Sequence, residues 1–178
     1  SEPAPQPEVV APPGVPFEFD SVIDQARVLS QQSFKAQGDS VPDAARKLNY
    51  NDYRRIEFDR NDADWQTPEG GLFQVHYDVR GSLFEDAIKM NFVEDGRVVP
   101  RTYDPAQFNF FDLPLSDEDK ARLNFAGFRV TTPLNASGKF DEVMSFKGAS
   151  FFRMLGAGRN SRISANSGWC APASMRHA

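Results

Sequence analysis

The sequence has few of the side chains that bind metals or cross-link a fold. One cysteine, Cys170, and two histidines, His76 and His177, occur among its 178 residues. A lone cysteine cannot form an internal disulfide, so packing must hold the fold together. The two histidines are far apart in the sequence and supply no set of closely spaced zinc ligands. We therefore predict neither a metal site nor a bound cofactor.

Basic clusters and long apolar runs are also missing. The formal net charge is -5, whereas nucleic-acid binding depends on lysine and arginine side chains that neutralise phosphates. No apolar run approaches the roughly 18–20 residues that a membrane-spanning helix needs. The sequence therefore predicts no nucleic-acid partner and no membrane span.

Motifs of nucleophilic and nucleotide chemistry are absent as well. There is no G-x-S-x-G, and Gly156-x-Gly158 lacks the third glycine and the lysine of phosphate-binding loops. Glycoside cleavage needs two carboxylates across the scissile bond. None of the 25 aspartates and glutamates stands out as such a pair, so we assign no catalytic residue from the sequence.

The composition of the chain divides it into three segments. Residues 1–16 hold six of the 13 prolines, and proline removes a backbone donor and fixes φ, so we predict a disordered lead-in. Such a lead-in is typical of the first residues after a cleaved signal peptide. Residues 159–178 lack periodicity and are rich in alanine and serine, and we predict a disordered or aberrant tail. Residues 17–158 form the predicted domain.

Within this domain the apolar pattern changes from helical to alternating. A helix is predicted over 17–34, with Ser21 and Asp24 as a capping box, and a second from 40 to 48. Apolar residues then recur at every second position, which is typical of half-buried antiparallel strands. Predicted strands cover 54–59, 72–79, 87–93, 97–103, 125–132 and 142–146. With 16 phenylalanines available for a core, we predict a mainly β, antiparallel β-sandwich with short helices at the N-terminus and on the connections.

Two of these strands are predicted in more detail. In 72–79 the alternation separates an apolar face from a polar face that carries Gln74, His76 and Asp78, so we expect His76 to be a surface or network residue. Asp95-Gly96 predicts a tight hairpin turn, because glycine tolerates the positive φ that such a turn requires.

A sugar site combines aromatic platforms with polar side chains, because sugars offer apolar ring faces and many hydroxyls. We predict Trp65, Tyr103 and Arg153 as substrate-binding residues. Trp65 lies in a polar loop and Tyr103 flanks a strand, although Trp65 can instead pack under its own loop as a core residue. Arg153 follows two aromatic residues and can donate to two hydroxyls, or else anchor a loop through backbone carbonyls.

Four segments carry a resemblance to a known family. Residues 41–65 contain L-x-Y-x-x-Y-R-x-I-x-F followed by a tryptophan, and 73–93 contain a strand–glycine–strand passage. Residues 125–135 read FAGFRVTTPLN, and 141–158 read DEVMSFKGASFFRMLGAG. In order and spacing these segments resemble the OpgG/OpgD (MdoG/MdoD) family of periplasmic glucan biosynthesis proteins, apart from Asn124 and Phe151, where the family usually has glycine and tyrosine.

The resemblance implies a large galactose-mutarotase-like sandwich followed by a small immunoglobulin-like domain, in a periplasmic protein made with a signal peptide. It also implies a role in making osmoregulated periplasmic glucans. The expected partners are a β-glucan polysaccharide with a β-1,2 backbone and a membrane glucan synthase. Some family members look like β-1,2-glucan hydrolases, whose catalytic acids lie beyond the part present here.

The resemblance fades after residue 158. Family members are much longer and continue with a segment like R-Y-G-x-S-A-R-G-L-A, where this sequence reads GRNSRISANSGWCAPASMRHA. We therefore expect the chain to be the N-terminal part of the family fold and to end before that fold is complete. A frameshift or premature stop near residues 159–166 is our hypothesis.

Three functions are open at this point. The chain binds glucan on a β-sandwich cleft, or belongs to a glucan hydrolase whose catalytic acids it lacks, or acts as a non-catalytic scaffold for glucan assembly. The first two predict that sugar changes the fluorescence of Trp65, and only the second predicts that the glucan becomes shorter.

Overall fold

The structure is a computed structural model that describes residues 14–33, 41–67, 71–136, 138–148 and 151–156, together with the backbone of 163–166. The helices in this part of the chain are α1 (Phe19–Ser30), α2 (Asp43–Arg46), α3 (Tyr50–Tyr53) and α4 (Asp117–Arg122). The strands are β1 (Val15–Pro16), β2 (Glu57–Phe58), β3 (Gln74–Val79), β4 (Met90–Glu94), β5 (Arg97–Arg101), β6 (Phe108–Asn109), β7 (Phe125–Ala136), β8 (Lys139–Lys147), β9 (Phe151–Met154) and β10 (Ile163–Asn166). The fold is mainly β with antiparallel pairing and short helices, so the predicted fold class is confirmed.

The chain forms two compact units, and the smaller contains residues 1–36 and 89–102. Its sheet has the order β1-β5-β4, and Asp95 and Gly96 make the tight turn between β4 and β5 at φ 48° and 72°. The predicted hairpin is confirmed. The predicted helix is also present, but the capping box is wrong. Because α1 begins at Phe19, Ser21 already lies in its first turn, and its hydroxyl donates to the Glu18 carbonyl at 2.6 Å.

The larger unit contains residues 37–88 and 103–178. Its main sheet has five antiparallel strands in the order β10-β9-β8-β7-β3. The predicted pairing of the last two long strands is confirmed, and both run further than expected. Within the tail that we predicted to be disordered, the structure describes β10, and the other tail residues lie outside the described residues. Residues 1–13 of the proline-rich lead-in lie outside them too.

The main sheet has one apolar and one polar face. Val75, Tyr77 and Val79 of β3 are buried, which confirms the predicted alternation of this strand. The opposite side, called the polar face here, carries a row of directly opposed residues on four neighbouring strands. That row consists of His76, Arg129, Ser145 and Arg153.

Aromatic rings pack the apolar side. Tyr77 lies 4.7 Å from Phe125 and 5.3 Å from Phe58 between ring centroids, and Phe58 lies 5.2 Å from Phe108. Phe58 and Phe108 come from the two-stranded sheet β2–β6. This sheet therefore packs against Tyr77 of the main sheet through Phe58. The phenylalanine-rich core expected from the composition is thus formed.

A second group of rings crosses the main sheet. Phe128, Phe146 and Phe152 are cross-strand partners on β7, β8 and β9. The first two rings are 4.7 Å apart at an interplanar angle of 12°, and the next pair is 6.2 Å apart at 23°. This row, called the phenylalanine stack, ties three strands together through side-chain pairs.

A buried arginine connects the loops at the C-terminal end of β3 by hydrogen bonds. Arg80 is only 1% exposed. Its guanidinium donates to the carbonyls of Leu123, Arg122 (2.8 Å) and Glu85 (3.4 Å). These bonds join the end of β3 to the C-terminal end of α4 and to the loop between β3 and β4, since an arginine presents five donors in a rigid fork.

The predicted strand over 54–59 is shorter than expected. Only Glu57–Phe58 forms a strand, because Arg54 and Arg55 make the turn that follows α3. Asn49 caps α3 by accepting a hydrogen bond of 3.0 Å from the backbone of Asp52. The helix α3 thus fills the interval between the predicted helix over 40–48 and the predicted strand over 54–59.

Candidate functional site: a cleft on the polar face

A cleft of about 950 Å³ opens on the polar face of the main sheet. Strands β3, β7, β8 and β9 contribute its floor, and α3 with the residues before β2 contributes a wall. All of its lining residues belong to the larger unit. The volume is at the upper end of the roughly 300–1,000 Å³ that small-molecule sites span.

The centre of the cleft is an ion-pair network around Asp78. Its carboxylate lies 3.3 Å from Nη2 of Arg129 and 3.5 Å from Nζ of Lys147. The Asp78 side chain is 14% exposed. Among the described residues, Asp78 Oδ2 and Arg129 Nε are buried without a hydrogen-bond partner. Ion pairs therefore hold the network together, and the partly exposed side chains of Arg129 and Lys147 present its cationic groups to the cleft.

A second ion pair lies beside this network. The Arg153 guanidinium contacts the Glu142 carboxylate, and both side chains are about three-quarters buried. Glu142 faces the cleft because the pairing of β7 and β8 shifts by one residue, which leaves Val143 extra and sets Glu142 opposite Thr131. The β-bulge thus determines which β8 side chain meets Arg153.

Two aromatic rings cover one side of the network. The Lys147 ammonium lies 4.5 Å from the centroid of Phe84 and 5.4 Å from that of Tyr53, in cation–π contact. Tyr53 also donates a hydrogen bond of 2.8 Å to the carbonyl of Val79. Burial, followed by the nearby Asp78 carboxylate, raises the pKa of Tyr53 well above its usual range. The ring is consequently a fixed neutral donor.

Exposed aromatic residues stand at the rim. Tyr50 is 52% exposed and Phe151 is 37% exposed, and both line the cleft. The Arg54 guanidinium lies 5.7 Å from the centroid of Tyr50. Aromatic faces beside buried, hydrogen-bonding polar groups match the apolar faces and hydroxyls of a sugar.

A second cavity of about 360 Å³ adjoins the cleft. Gln74, His76, Thr131 and Phe140 line it. Nε2 of His76 lies 3.4 Å from the Gln74 side-chain oxygen and 3.5 Å from the Thr131 hydroxyl, so His76 is part of a polar network, as predicted. Burial, and then the nearby guanidinium of Arg129, lowers the pKa of His76 to about 4. Its imidazole is therefore neutral near pH 7.

The structure brings one of the three predicted site residues into the cleft. Arg153 lines it, whereas Tyr103 and Trp65 are not among its lining residues. The Tyr103 hydroxyl donates to the Lys120 carbonyl at 2.7 Å, and its ring packs against Phe108 and Phe125. Trp65 is 56% exposed in a loop, with a φ of 66°.

Sequence reasoning did not single out the centre of the cleft. The alternation of 72–79 placed Asp78 on a polar face, and this was the available signal for it. Arg129 and Lys147 gave no signal, because the strand order that brings them together with Asp78 follows from tertiary pairing.

The described residues offer no alternative site of two common kinds. Among them, no group of three or more histidines, cysteines, aspartates or glutamates is placed to hold a metal ion. In the same part of the chain, no helix has the length and apolar character needed to cross a membrane.

Comparison with known proteins relates this cleft to a family. Residues 17–167 match the family model described as "Periplasmic glucan biosynthesis protein, MdoG". The chain belongs to this family. The match covers the whole cleft, and it confirms the resemblance found in the four sequence segments.

Curated members of the MdoG family are similar over most of the chain. Glucans biosynthesis protein G of Pseudomonas entomophila (strain L48) is 34% identical over 152 residues, which is 84% of this chain and 26% of that protein. Its counterpart in Serratia proteamaculans (strain 568) is 35% identical over 156 residues, which is 86% of this chain and 29% of that protein. The chain thus spans between a quarter and a third of the length of these relatives.

Proposed function

We propose that this chain serves periplasmic glucan biosynthesis by binding a β-linked glucan, with a β-1,2 backbone, in the cleft on the polar face. The observation that carries the proposal is the combination, in one cleft, of a partly exposed ion-pair network with exposed aromatic rings at the rim. Periplasmic location and a glucan partner are supported by the description of the MdoG family.

The chemistry of the cleft fits a neutral, hydroxyl-rich polymer. Ion pairs fix the charged groups in place, so these groups can donate hydrogen bonds to sugar hydroxyls and accept hydrogen bonds from them. Each hydrogen bond to a charged group contributes about 1.5–3 kcal/mol. Tyr50 and Phe151 offer faces on which a sugar ring can lie. Of the three residues predicted from the sequence, Arg153 is proposed as a contact because it lines the cleft.

Binding is favoured over hydrolysis within this part of the fold. Glycoside hydrolysis needs one carboxylic acid and one carboxylate placed across the scissile bond. The two carboxylates that line the cleft, Asp78 and Glu142, each contact a cation instead. A membrane glucan synthase as a protein partner is a further proposal that rests on the family resemblance alone.

Titration of linear β-1,2-glucan into the isotope-labelled chain, followed by two-dimensional NMR, tests the proposal. Replacing Tyr50 or Phe151 by alanine should weaken binding about tenfold, since this factor is about 1.4 kcal/mol, the value of roughly 55 Å² of apolar contact at about 25 cal/mol per Å². Phe19→Ala is the matched control, because Phe19 is an exposed aromatic residue on α1 and does not line the cleft.

Three results contradict the proposal. The first is equal affinity for β-1,2-glucan and for an unrelated α-1,4-glucan. The second is an equal loss of affinity in Phe19→Ala and in the two cleft variants. The third is a decrease in glucan length during the titration, which would instead support hydrolysis.

A further inference from the structure

The cleft and the smaller cavity share part of their lining. Four residues line both cavities: Arg54, Ile56, Arg129 and Glu142. Arg129 lies in the centre of the row on the polar face, opposite His76 on β3 and Ser145 on β8. The two cavities are therefore neighbouring parts of one groove on the polar face, and the smaller one lies further along the strands, toward Gln74 and Thr131.

We propose that the smaller cavity is a second sugar subsite, so that the polar face binds a linear segment of several glucose units across Arg129. This inference rests on the proposed function, because it assigns a second part of the same ligand to a place beside the cleft. Each cavity alone has the size of a small-molecule site, for which about 300–1,000 Å³ is typical. A single sugar unit would leave one of the two unfilled.

The side chains of the smaller cavity fit hydroxyl groups. Gln74 offers an amide, Thr131 a hydroxyl and His76 an imidazole, so donors and acceptors are both present. Their mutual contacts of 3.4 and 3.5 Å are longer than the usual hydrogen bond of about 2.7–3.2 Å. Sugar hydroxyls can therefore replace these contacts at little cost. Phe140 adds an aromatic surface to the same cavity.

The neutral state of His76 supports this assignment. Because burial, and then the nearby Arg129 and Arg60, lower the pKa of His76 to about 4, the imidazole is neutral near pH 7. A neutral imidazole both donates and accepts one hydrogen bond, which is what a hydroxyl group requires. Asp78 is the carboxylate that opposes this effect, and it lies in the ion-pair network of the cleft.

The test compares two linear β-1,2-linked gluco-oligosaccharides, a disaccharide and a hexasaccharide, by isothermal titration calorimetry with the full 178-residue chain. The double variant Gln74→Leu, Thr131→Val removes polar groups of the smaller cavity alone, since neither residue lines the cleft. We expect its affinity for the hexasaccharide to fall five- to tenfold and its affinity for the disaccharide to stay unchanged. Thr131→Ser, which keeps the hydroxyl, should bind both oligosaccharides like the wild-type chain.

The possible outcomes separate this inference from the proposed function. If the double variant loses the same factor for both oligosaccharides, or for neither, the second subsite is wrong while glucan binding stands. If the wild-type chain binds neither oligosaccharide, the proposed function fails and this inference fails with it. A chemical-shift change of the Gln74 side-chain amide with the hexasaccharide alone would support the subsite directly.

Discussion

The hydroxyl of Tyr53 donates a hydrogen bond of 2.8 Å to the main-chain carbonyl of Val79, which lies 26 residues further along the chain. Both residues are buried. The bond therefore fastens α3 to the end of β3, and it also fixes the ring that covers Lys147 in the cleft.

Tyr53→Phe should lower the free energy of unfolding by about 1–3 kcal/mol, because a buried carbonyl loses its donor. The phenylalanine ring keeps the packing against Phe84, so the loss reports the hydrogen bond rather than a cavity. Urea denaturation followed by circular dichroism measures the effect. Tyr50→Phe, at an exposed position, is the control, and an equal change in both variants would contradict this role of Tyr53.

Arg80→Met should cost about 3 kcal/mol or more, because the buried carbonyl of Leu123 and the part-buried carbonyls of Arg122 and Glu85 lose their donor at once. Arg80→Lys keeps the charge but lacks the planar fork, so we expect an intermediate loss. Arg27→Met is the matched control. Arg27 is exposed and pairs with the exposed Asp24 on α1, so its replacement should change stability by no more than about 0.5–1 kcal/mol. A small effect of Arg80→Met in the same urea experiment would contradict this role of Arg80.

Stability should fall as the pH is lowered from about 6.5 to 4, with a contribution from His76. The pKa of this histidine is about 4 in the folded chain and 6.5 in the reference state. Between these values the unfolded chain binds a proton that the folded chain does not bind, so protonation favours unfolding. The contribution is on the order of 2 kcal/mol at pH 4.5, allowing for partial solvation.

His76→Gln isolates this contribution, because other titrating groups are common to both proteins. The difference in unfolding free energy between pH 7 and pH 4.5 should be smaller in the variant than in the wild-type chain. Identical differences would show that His76 titrates in the folded state as it does in the unfolded chain.

Much of the fold follows from local patterns. The alternation in β3, the Asp95-Gly96 turn and the pairing of β7 with β8 each depend on residues close in sequence, and each was predicted. The start of α1 was misplaced, because the pattern of a capping box also occurs inside a first turn. The helix α3 was missed, since it is a single turn that is too short to show an apolar period and begins at the Asn49 cap.

The site was less predictable than the fold. By simple alternation, Glu142 would share a face with Met144 and Phe146, away from the cleft. The β-bulge at Val143 reverses this and places Glu142 beside Arg153. A bulge depends on the partner strand, so the sequence of β8 alone gives no sign of it. Predicted site residues were chosen by residue type, and only Arg153 lines the cleft.

The phenylalanine stack has a consequence for how this protein can change during evolution. In a strand, a slip of one residue moves every side chain to the opposite face. Phe128, Phe146 and Phe152 hold β7, β8 and β9 in one alignment, and Ser145 and Arg153 face the cleft as a result. A one-codon insertion between Ser145 and Phe146 would break this alignment and turn part of the groove into an aromatic surface. Point substitutions at the groove can therefore accumulate gradually, whereas changes in the length of these strands would replace its chemistry in a single step.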